Sequence, residues 1–512
     1  VASQEEFARQ IGEGYAFKGE SVVLGTAMFG GAPLPNALIK APLKTFNRHG
    51  LIAGATGTGK TKTFQRIAES LSSRGVPVLL MDVKGDLSGL SQPGVANPKI
   101  EDRQKLIGVP WKANPYPVEF LTISGEQGTR LRATVSEFGP VLFSKILELN
   151  ETQSGVVSMV FKYCDDNQLP LLDLKDFKKT VQYLTNEGKE EIEKEYGRIS
   201  TASTGTIIRK VVEIEQEGAE AFFGERSFEV EDLLRIDENG RGYLNILRLG
   251  DIQSKPKLFS TFMLCLLAEI YQKFPEEGDL DQPKLVLFID EAHLIFKEAS
   301  KALLEELETI IKLIRSKGVG VFFCTQSPTD IPTSILGQLG MKIQHALRAF
   351  TAQDRKAIKL VAENYPTTAF YDADEVITSM GIGEAFVTLL NEKGIPTPLA
   401  QTLLCAPESR MDTVTADELG SVVRGSTIAK KYSDAVDRES AYEMLNAKLQ
   451  NAAAPPPQER QTRGTAEATT FEKVIDSPIT RQIGRTVARE LTRGLLGVLG
   501  VTGGGSRRSR LF

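Results

Sequence analysis

Two short clusters far apart in the chain carry the residue types needed to break a phosphoanhydride. The first is GATGTGKT at 54–61, which fits G-x-x-x-x-G-K-[ST] without deviation. Gly54, Gly57 and Gly59 allow backbone angles that a side chain would forbid. Successive N–H groups from Gly54, Ala55, Thr56, Gly57, Thr58, Gly59, Lys60, Thr61 and Lys62 are then free to face phosphate oxygens. The N-terminus of a following helix adds partial positive charge. Lys60 is predicted to reach the β and γ phosphates, and the Thr61 hydroxyl to ligate magnesium. The second cluster is LVLFIDEAH at 285–293, five apolar residues and then paired acids. Asp290 is predicted to hold Mg2+ through water. Glu291, pointing elsewhere because side chains alternate along a strand, is predicted to take the proton of an attacking water. A glycine turn with a chance lysine, and a solvated acidic turn, are the bland readings of each cluster. Their co-occurrence in one chain argues against both.

Further groups complete the set. Thr325-Gln326 closes the run VGVFFC (319–324), so the Gln326 amide is placed to hold the water and report the terminal phosphate; a polar strand cap is the alternative. Phosphoryl transfer needs positive charge on its transition state. Arg315, at the end of a helix before SKGVG, and Arg348, read as lying on the next strand, are the candidates, each against the plain alternative of a surface ion pair. Arg315 stands where it could enter a neighbour's site. Asp82, Lys84 and Asp86 in VLLMDVKGDLSGL (78–90) either line the site or form a plain turn. His293 is a packing residue at a helix start or a catalytic one.

The elements that must position these groups alternate. Short apolar runs at 51–53, 78–81, 243–247, 285–289, 319–324, 341–349 and 384–390 are separated by amphipathic stretches. That is the pattern of parallel strands joined by crossover helices, with sites at the carboxyl ends of the strands. The expected fold class is α/β: a RecA-like P-loop core with a mainly parallel sheet flanked by helices, an inserted helical lobe and a C-terminal helical tail. The expected segments are a short β-containing stretch at 1–45, core at 46–127, helical lobe at 128–235, core again at 236–410, a helical extension at 411–451, a flexible linker at 452–470 and a basic amphipathic helix and tail at 471–512.

These motifs together, NRHGLIAGATGTGKT (47–61), MDVKGDLSGL (81–90), LVLFIDEAHLIF (285–296), RSKGVGVFFCTQSPTDIP (315–332) and QLGMKIQHALRAFTAQD (338–354), resemble the HerA-like branch of the HerA–FtsK superfamily, and within it a shorter bacterial helicase group. The resemblance spans roughly residues 20 to 500. It implies an ATPase using ATP and Mg2+, a homo-oligomeric ring that is often hexameric, and transport of double-stranded DNA or sometimes protein through a central pore. It carries Lys60, Thr61, Asp290, Glu291 and Gln326 into the roles above and makes Arg315 similar to the family's arginine finger, supplied to the adjacent subunit. Archaeal members carry an N-terminal β-barrel. With the loop opening at Gly54, the stretch before it is too short for a full barrel.

Composition bounds the partners. The chain has 512 residues, 61 Lys plus Arg against 66 Asp plus Glu, and a net charge of −5, so any nucleic-acid contact must be local rather than a general basic coat. Residues 471–512 run the other way, with Arg481, Arg485, Arg489 and Arg493 beside Ile479, Ile483, Val487, Leu491 and Leu495 at helical spacing. That segment could dock its apolar stripe on protein, bind a phosphate backbone or lie on a membrane surface. Four scattered cysteines point to a reducing cytoplasm rather than a disulfide scaffold. No run reaches membrane-spanning length. The opening VASQEEFARQ has no signal-peptide pattern and no initiator Met. A non-motor ATPase switch, or a protein-translocating ATPase with a protein partner, is the alternative function.

Overall fold

The computed structural model describes residues 3–251, 255–278, 280–297, 301–433, 436 and 438–453. The basic stretch 471–512 and the linker beyond 453 lie outside the described residues. The described residues divide into two compact units, 3–131 with 228–433, and 132–227 with 438–453.

The first unit is built on a 12-stranded sheet of order β2-β1-β12-β11-β10-β3-β9-β8-β4-β7-β5-β6. In chain order the strands are β1 (Ser21–Phe29), β2 (Ala32–Pro42), β3 (Gly50–Ala53), β4 (Val78–Asp82), β5 (Val118–Thr122), β6 (Thr129–Arg130), β7 (Leu244–Arg248), β8 (Leu285–Ile289), β9 (Val319–Thr325), β10 (Met341–His345), β11 (Glu384–Leu389) and β12 (Ala400–Leu404). From β10 to β6 every neighbouring pair is parallel. The block β2-β1-β12-β11 is antiparallel and joins at β10. The central strands β3, β4, β8 and β9 are buried at every position, as unbroken apolar runs covered on both faces should be. Helices α1 (Gln4–Gly14), α2 (Lys60–Ser72) and α3 (Pro98–Ile107) precede the second unit. Phe64 of α2 stacks on Phe288 of β8 with centroids 4.7 Å apart; Phe288 meets Phe322 of β9 at 5.0 Å, and Phe322 meets Phe46 at 5.5 Å. This aromatic file pins α2 to the sheet under the strands that carry the acids and the polar pair.

The first segment of the chain is not a separate body. β1 pairs with β12, so 21–42 is a hairpin at one end of the same sheet. The second unit contains α4 (Val135–Ile146), α5 (Glu151–Asp166), α6 (Leu174–Thr185), α7 (Lys189–Glu195) and α8 (Thr201–Gln216). Capping boxes at Thr134/Glu137, Asn150/Gln153 and Asp173/Asp176 start α4, α5 and α6. Phe143 sits against Phe177 at 4.8 Å and Phe161 at 6.0 Å in its core. It is shorter at both ends than 128–235. Residues 228–235 belong with the sheet, where Phe228 packs on Tyr432 and Arg235 pairs with Glu119 at 2.9 Å. The stretch 411–451 divides: helices Ala416–Gly425 and Thr427–Ser433 go with the first unit, Ala441–Ala453 with the second, where the Tyr442 N–H donates to Asp176. After β7 the first unit adds α9 (Pro256–Lys273), α10 (His293–Lys297) and α11 (Lys301–Ile314).

Candidate active site

Parallel pairing sets the site. β3 pairs with β9 (Ala53↔Thr325) and β9 with β8 (Ile289↔Phe323), so GATGTGKT, Gln326 and Asp290-Glu291 leave one edge of the sheet side by side. The glycine loop and the acids come from non-adjacent strands, with β9 between them.

The loop adopts the backbone its glycines allow: φ is 152° at Gly54, 79° at Gly57 and 107° at Gly59. Gly54 has a second reason to be glycine, since a Cβ there would stand 2.5 Å from Cβ of His345. The Ala55 N–H donates to the Ala346 carbonyl at 2.8 Å, and the Gly383 N–H to the Thr58 carbonyl at 3.0 Å. The loop is thus laced to the ends of β10 and β11. α2 begins at Lys60, with Gly59 as its left-handed cap. Lys60 is 7% exposed and its Nζ donates to the Ala55 carbonyl at 3.1 Å. Burial lowers the Lys60 pKa, with Cys324 raising it, Lys84 lowering it, and Glu291 and Asp290 raising it, so each of these groups lies near enough to Lys60 to act on its charge. Thr61 follows, half-buried, on the first turn of α2.

Asp290 is 5% exposed; burial pushes its pKa up to about 6, against the pull of Lys84. Glu291 has a different cause for its direction than strand alternation. β8 ends at Ile289, and Glu291 stands in a turn with φ 47°, a left-handed conformation uncommon outside glycine. Its Oε1 lies 2.5 Å from Lys84 Nζ and its Oε2 3.2 Å from His293 Nδ1. His293 is half-buried at the first position of α10 and so stands beside the acid. In the 82–86 turn the three charged residues part company. Asp82 accepts from the N–H groups of Gly85 (2.7 Å) and Leu87 (3.1 Å) and is raised by burial to about 7, so it builds the turn. Lys84 enters the site, and Asp86 lies near Lys62.

Gln326 is exposed directly after β9, while Thr325 is buried and donates to Asp330 at 2.6 Å as a turn cap. Arg315 is exposed just before β9, at the amino ends of the strands and so on the opposite edge from the loop of its own chain. Arg348 lies at the loop's edge but not on a strand: β10 stops at His345, and Arg348 donates to the Thr378 carbonyl at 3.0 Å. The alternating pattern of 341–349 therefore outruns the strand by four residues. The Lys62 side chain is held by a segment outside the loop. Its Nζ donates to the Met411 carbonyl.

Two structural supports went unread in the sequence. His345 is fully buried under the loop, its Nε2 3.0 Å from Thr63 Oγ1, and burial lowers its pKa to about 3, so its ring is neutral. The rarity of histidine, three in the chain, was the available signal. The second is a strap at 407–412 along α2. Gln65 donates to Ser409 Oγ (2.7 Å) and the Arg410 carbonyl (2.9 Å), Arg66 pairs with Glu408 (2.6 Å), and buried Glu69 accepts from the Glu408 and Ser409 N–H groups (both 2.9 Å). Nothing local in the sequence signals it.

The donor set suits a phosphate-bridged cation rather than a protein cage. No group of three His, Cys, Asp or Glu side chains placed to hold a metal exists among the described residues. One hydroxyl, Thr61, and one carboxylate, Asp290, are what a magnesium ion held mainly by phosphates and water requires. The glycine cradle supplies the phosphate side, since a Cβ at Gly57 would meet nothing within 4 Å.

A family model described as the C-terminal region of HerA-like helicases matches residues 31–507. Two curated relatives are DNA double-strand break repair helicases HerA. That of Sulfolobus acidocaldarius is 22% identical over 377 residues, and that of Saccharolobus solfataricus 24% over 362. Each match takes in 69% of this chain and 64% of the relative, so the chain spans under two thirds of their length. Among solved structures, the plasmid coupling protein TrwB with ADP and Mg2+ superposes with a TM-score of 0.52 at 16% identity, covering 82% of this chain and 95% of that one. TrwB with a non-hydrolysable ATP analogue gives 0.51, also at 16%, over 80% and 95%. The fold is that of the RecA-like P-loop ATPases. Since the family model takes in nearly all of the sequence, both motif clusters included, the chain belongs to the HerA-like helicase C-terminal family.

Proposed function

We propose that this chain hydrolyses ATP with Mg2+ and uses the cycle to move double-stranded DNA as a homo-oligomeric ring, a hexamer by analogy with its family. The observation that carries the reading is the meeting of Lys60 with Asp290 and Glu291 at one sheet edge. The loop amides and Lys60 bind the triphosphate. Thr61 and Asp290 would hold Mg2+, which would neutralise phosphate charge. Glu291 takes a proton from water as the water oxygen bonds to the terminal phosphorus. The bond to the bridging oxygen breaks, and ADP and phosphate leave. Gln326 orients that water, and Arg315 of a neighbouring subunit meets the charge developing on the transferred group. The HerA relatives are named for DNA repair, which supports DNA over a protein substrate. Four free cysteines fit a cytoplasmic location, and among the described residues no helix is long and apolar enough to cross a membrane.

Steady-state ATPase assays test the chemistry. Lys60→Ala should abolish turnover and weaken nucleotide binding; Glu291→Gln should keep ATP bound and stop cleavage. Normal turnover in either variant overturns that residue's role. Duplex DNA should stimulate the wild type in a salt-sensitive way through counterion release; stimulation absent at low salt counts against a DNA motor.

A further inference from the structure

Glu291 does not hold itself in place. It sits beyond the end of β8 on a left-handed turn with φ 47°, so neither strand pleat nor helix fixes its carboxylate. The group that does hold it comes from the next strand. β4 pairs in parallel with β8 through Leu80↔Phe288 and Met81↔Ile289, a register that brings residues 82–84 alongside 290–291. The turn carrying Lys84 is rigid, because both Asp82 oxygens are occupied by the N–H groups of Gly85 and Leu87. From there Lys84 Nζ reaches Glu291 Oε1 at 2.5 Å. The other oxygen, Oε2, is buried and accepts no hydrogen bond; His293 Nδ1 is near it at 3.2 Å without forming one. One oxygen is anchored and the other has no hydrogen-bond partner.

We propose that Lys84 is the positioning residue for Glu291, clamping Oε1 and leaving Oε2, the oxygen without a partner, to take the proton of the attacking water. This rests on Glu291 being the base. The clamp comes from a rigid strand end, as orientation to within a fraction of an ångström requires. The Lys84 side chain is 37% exposed, against 7% for Glu291, so the lysine is not a core packing group. Its loss should register in chemistry before it registers in folding.

The test uses the full chain in its native oligomeric form, with steady-state ATPase kinetics and equilibrium binding of a fluorescent ATP analogue. Lys84→Met should lower kcat by ~10- to 100-fold, the cost of a mispositioned catalytic group, while KM and analogue affinity stay within about threefold. Lys84→Arg, which retains a cation able to pair with a carboxylate, should recover most of the loss. In the Glu291→Gln background Lys84→Met should have almost no further effect, because the two residues act as one unit. A Lys84→Met enzyme with normal kcat overturns the proposal. So does a defect confined to KM, or an equal further loss in the Glu291→Gln background. Should the Met variant fail to fold, Lys84→Gln with the Arg variant carries the same comparison. Failure of the underlying reading looks different: there Glu291→Gln itself turns over normally, whatever Lys84 does.

Discussion

Removing the guanidinium of Arg315 separates action within one chain from action between chains. β9 has seven residues, Val319–Thr325, and at ~3.3 Å per residue it spans ~20 Å. Arg315 precedes its amino end, on the side where buried His49 accepts from the Val321 N–H and reaches the Ile311 carbonyl. The phosphate loop begins beyond the other end, where Ala53 pairs with Thr325. Across ~20 Å of water-like dielectric a unit charge contributes ~0.2 kcal/mol before screening, well under a factor of two in rate. A guanidinium touching the transferred phosphoryl group is worth ~10³- to 10⁵-fold, ~4–7 kcal/mol. Arg315→Ala in a ring should therefore cut kcat at least ~1000-fold if a neighbour supplies it, and by under twofold if it acts only in its own subunit. ATP affinity of the isolated subunit should not change in either case. Mixing Arg315→Ala with Lys60→Ala subunits adds a positive signal. In an even random mixture about one interface in four joins an intact loop to an intact arginine, so about a quarter of wild-type activity should return. An Arg315→Ala enzyme of near-normal rate, or no regain at any mixing ratio, refutes the reasoning.

Burial raises Asp290 from 3.8 to about 6, so between those values the folded state binds more protons than the unfolded one and stability falls as pH rises. Asp290→Asn escapes this. In chelator-containing buffer its stability advantage in urea melts should grow from small near pH 4 to as much as ~3 kcal/mol above pH 6 while Mg2+-dependent hydrolysis is lost; a difference independent of pH contradicts the shift. Gly54→Ala sets a methyl group 2.5 Å from Cβ of His345 at φ 152°, so it should weaken nucleotide binding by displacing the loop, and unchanged affinity in a fluorescence titration would show that the contact relaxes freely. Glu69→Ala leaves Arg66 paired with Glu408 but removes the acceptor of the Glu408 and Ser409 N–H groups, and should cost ~2–4 kcal/mol in denaturant melts; a change near zero would mean the strap contributes nothing.

The sequence by itself determined what depends on neighbours in the chain. GATGTGKT reads as a phosphate cradle because eight consecutive residues make it, and the runs at 285–289 and 319–324 read as buried strands because their apolar character is unbroken. Each strand end carries its polar residue in the same stretch, so Asp290, Glu291 and Gln326 were legible too. Periodicity alone misjudged boundaries. It extended the strand before Arg348 past His345, because alternation does not register where backbone pairing stops. Tertiary structure decided strand order and register. The placing of β9 between β3 and β8 converts separate motifs into one site. β4 beside β8 delivers Lys84 to Glu291, and β10 beside β3 puts His345 under the loop. The parallel direction of β9 consigns Arg315 to the far edge. The strap that ties 407–412 to α2 joins residues more than 300 positions apart. Such contacts are selected by the packing of two faces and the pairing of whole strands, and no local pattern of residues encodes them.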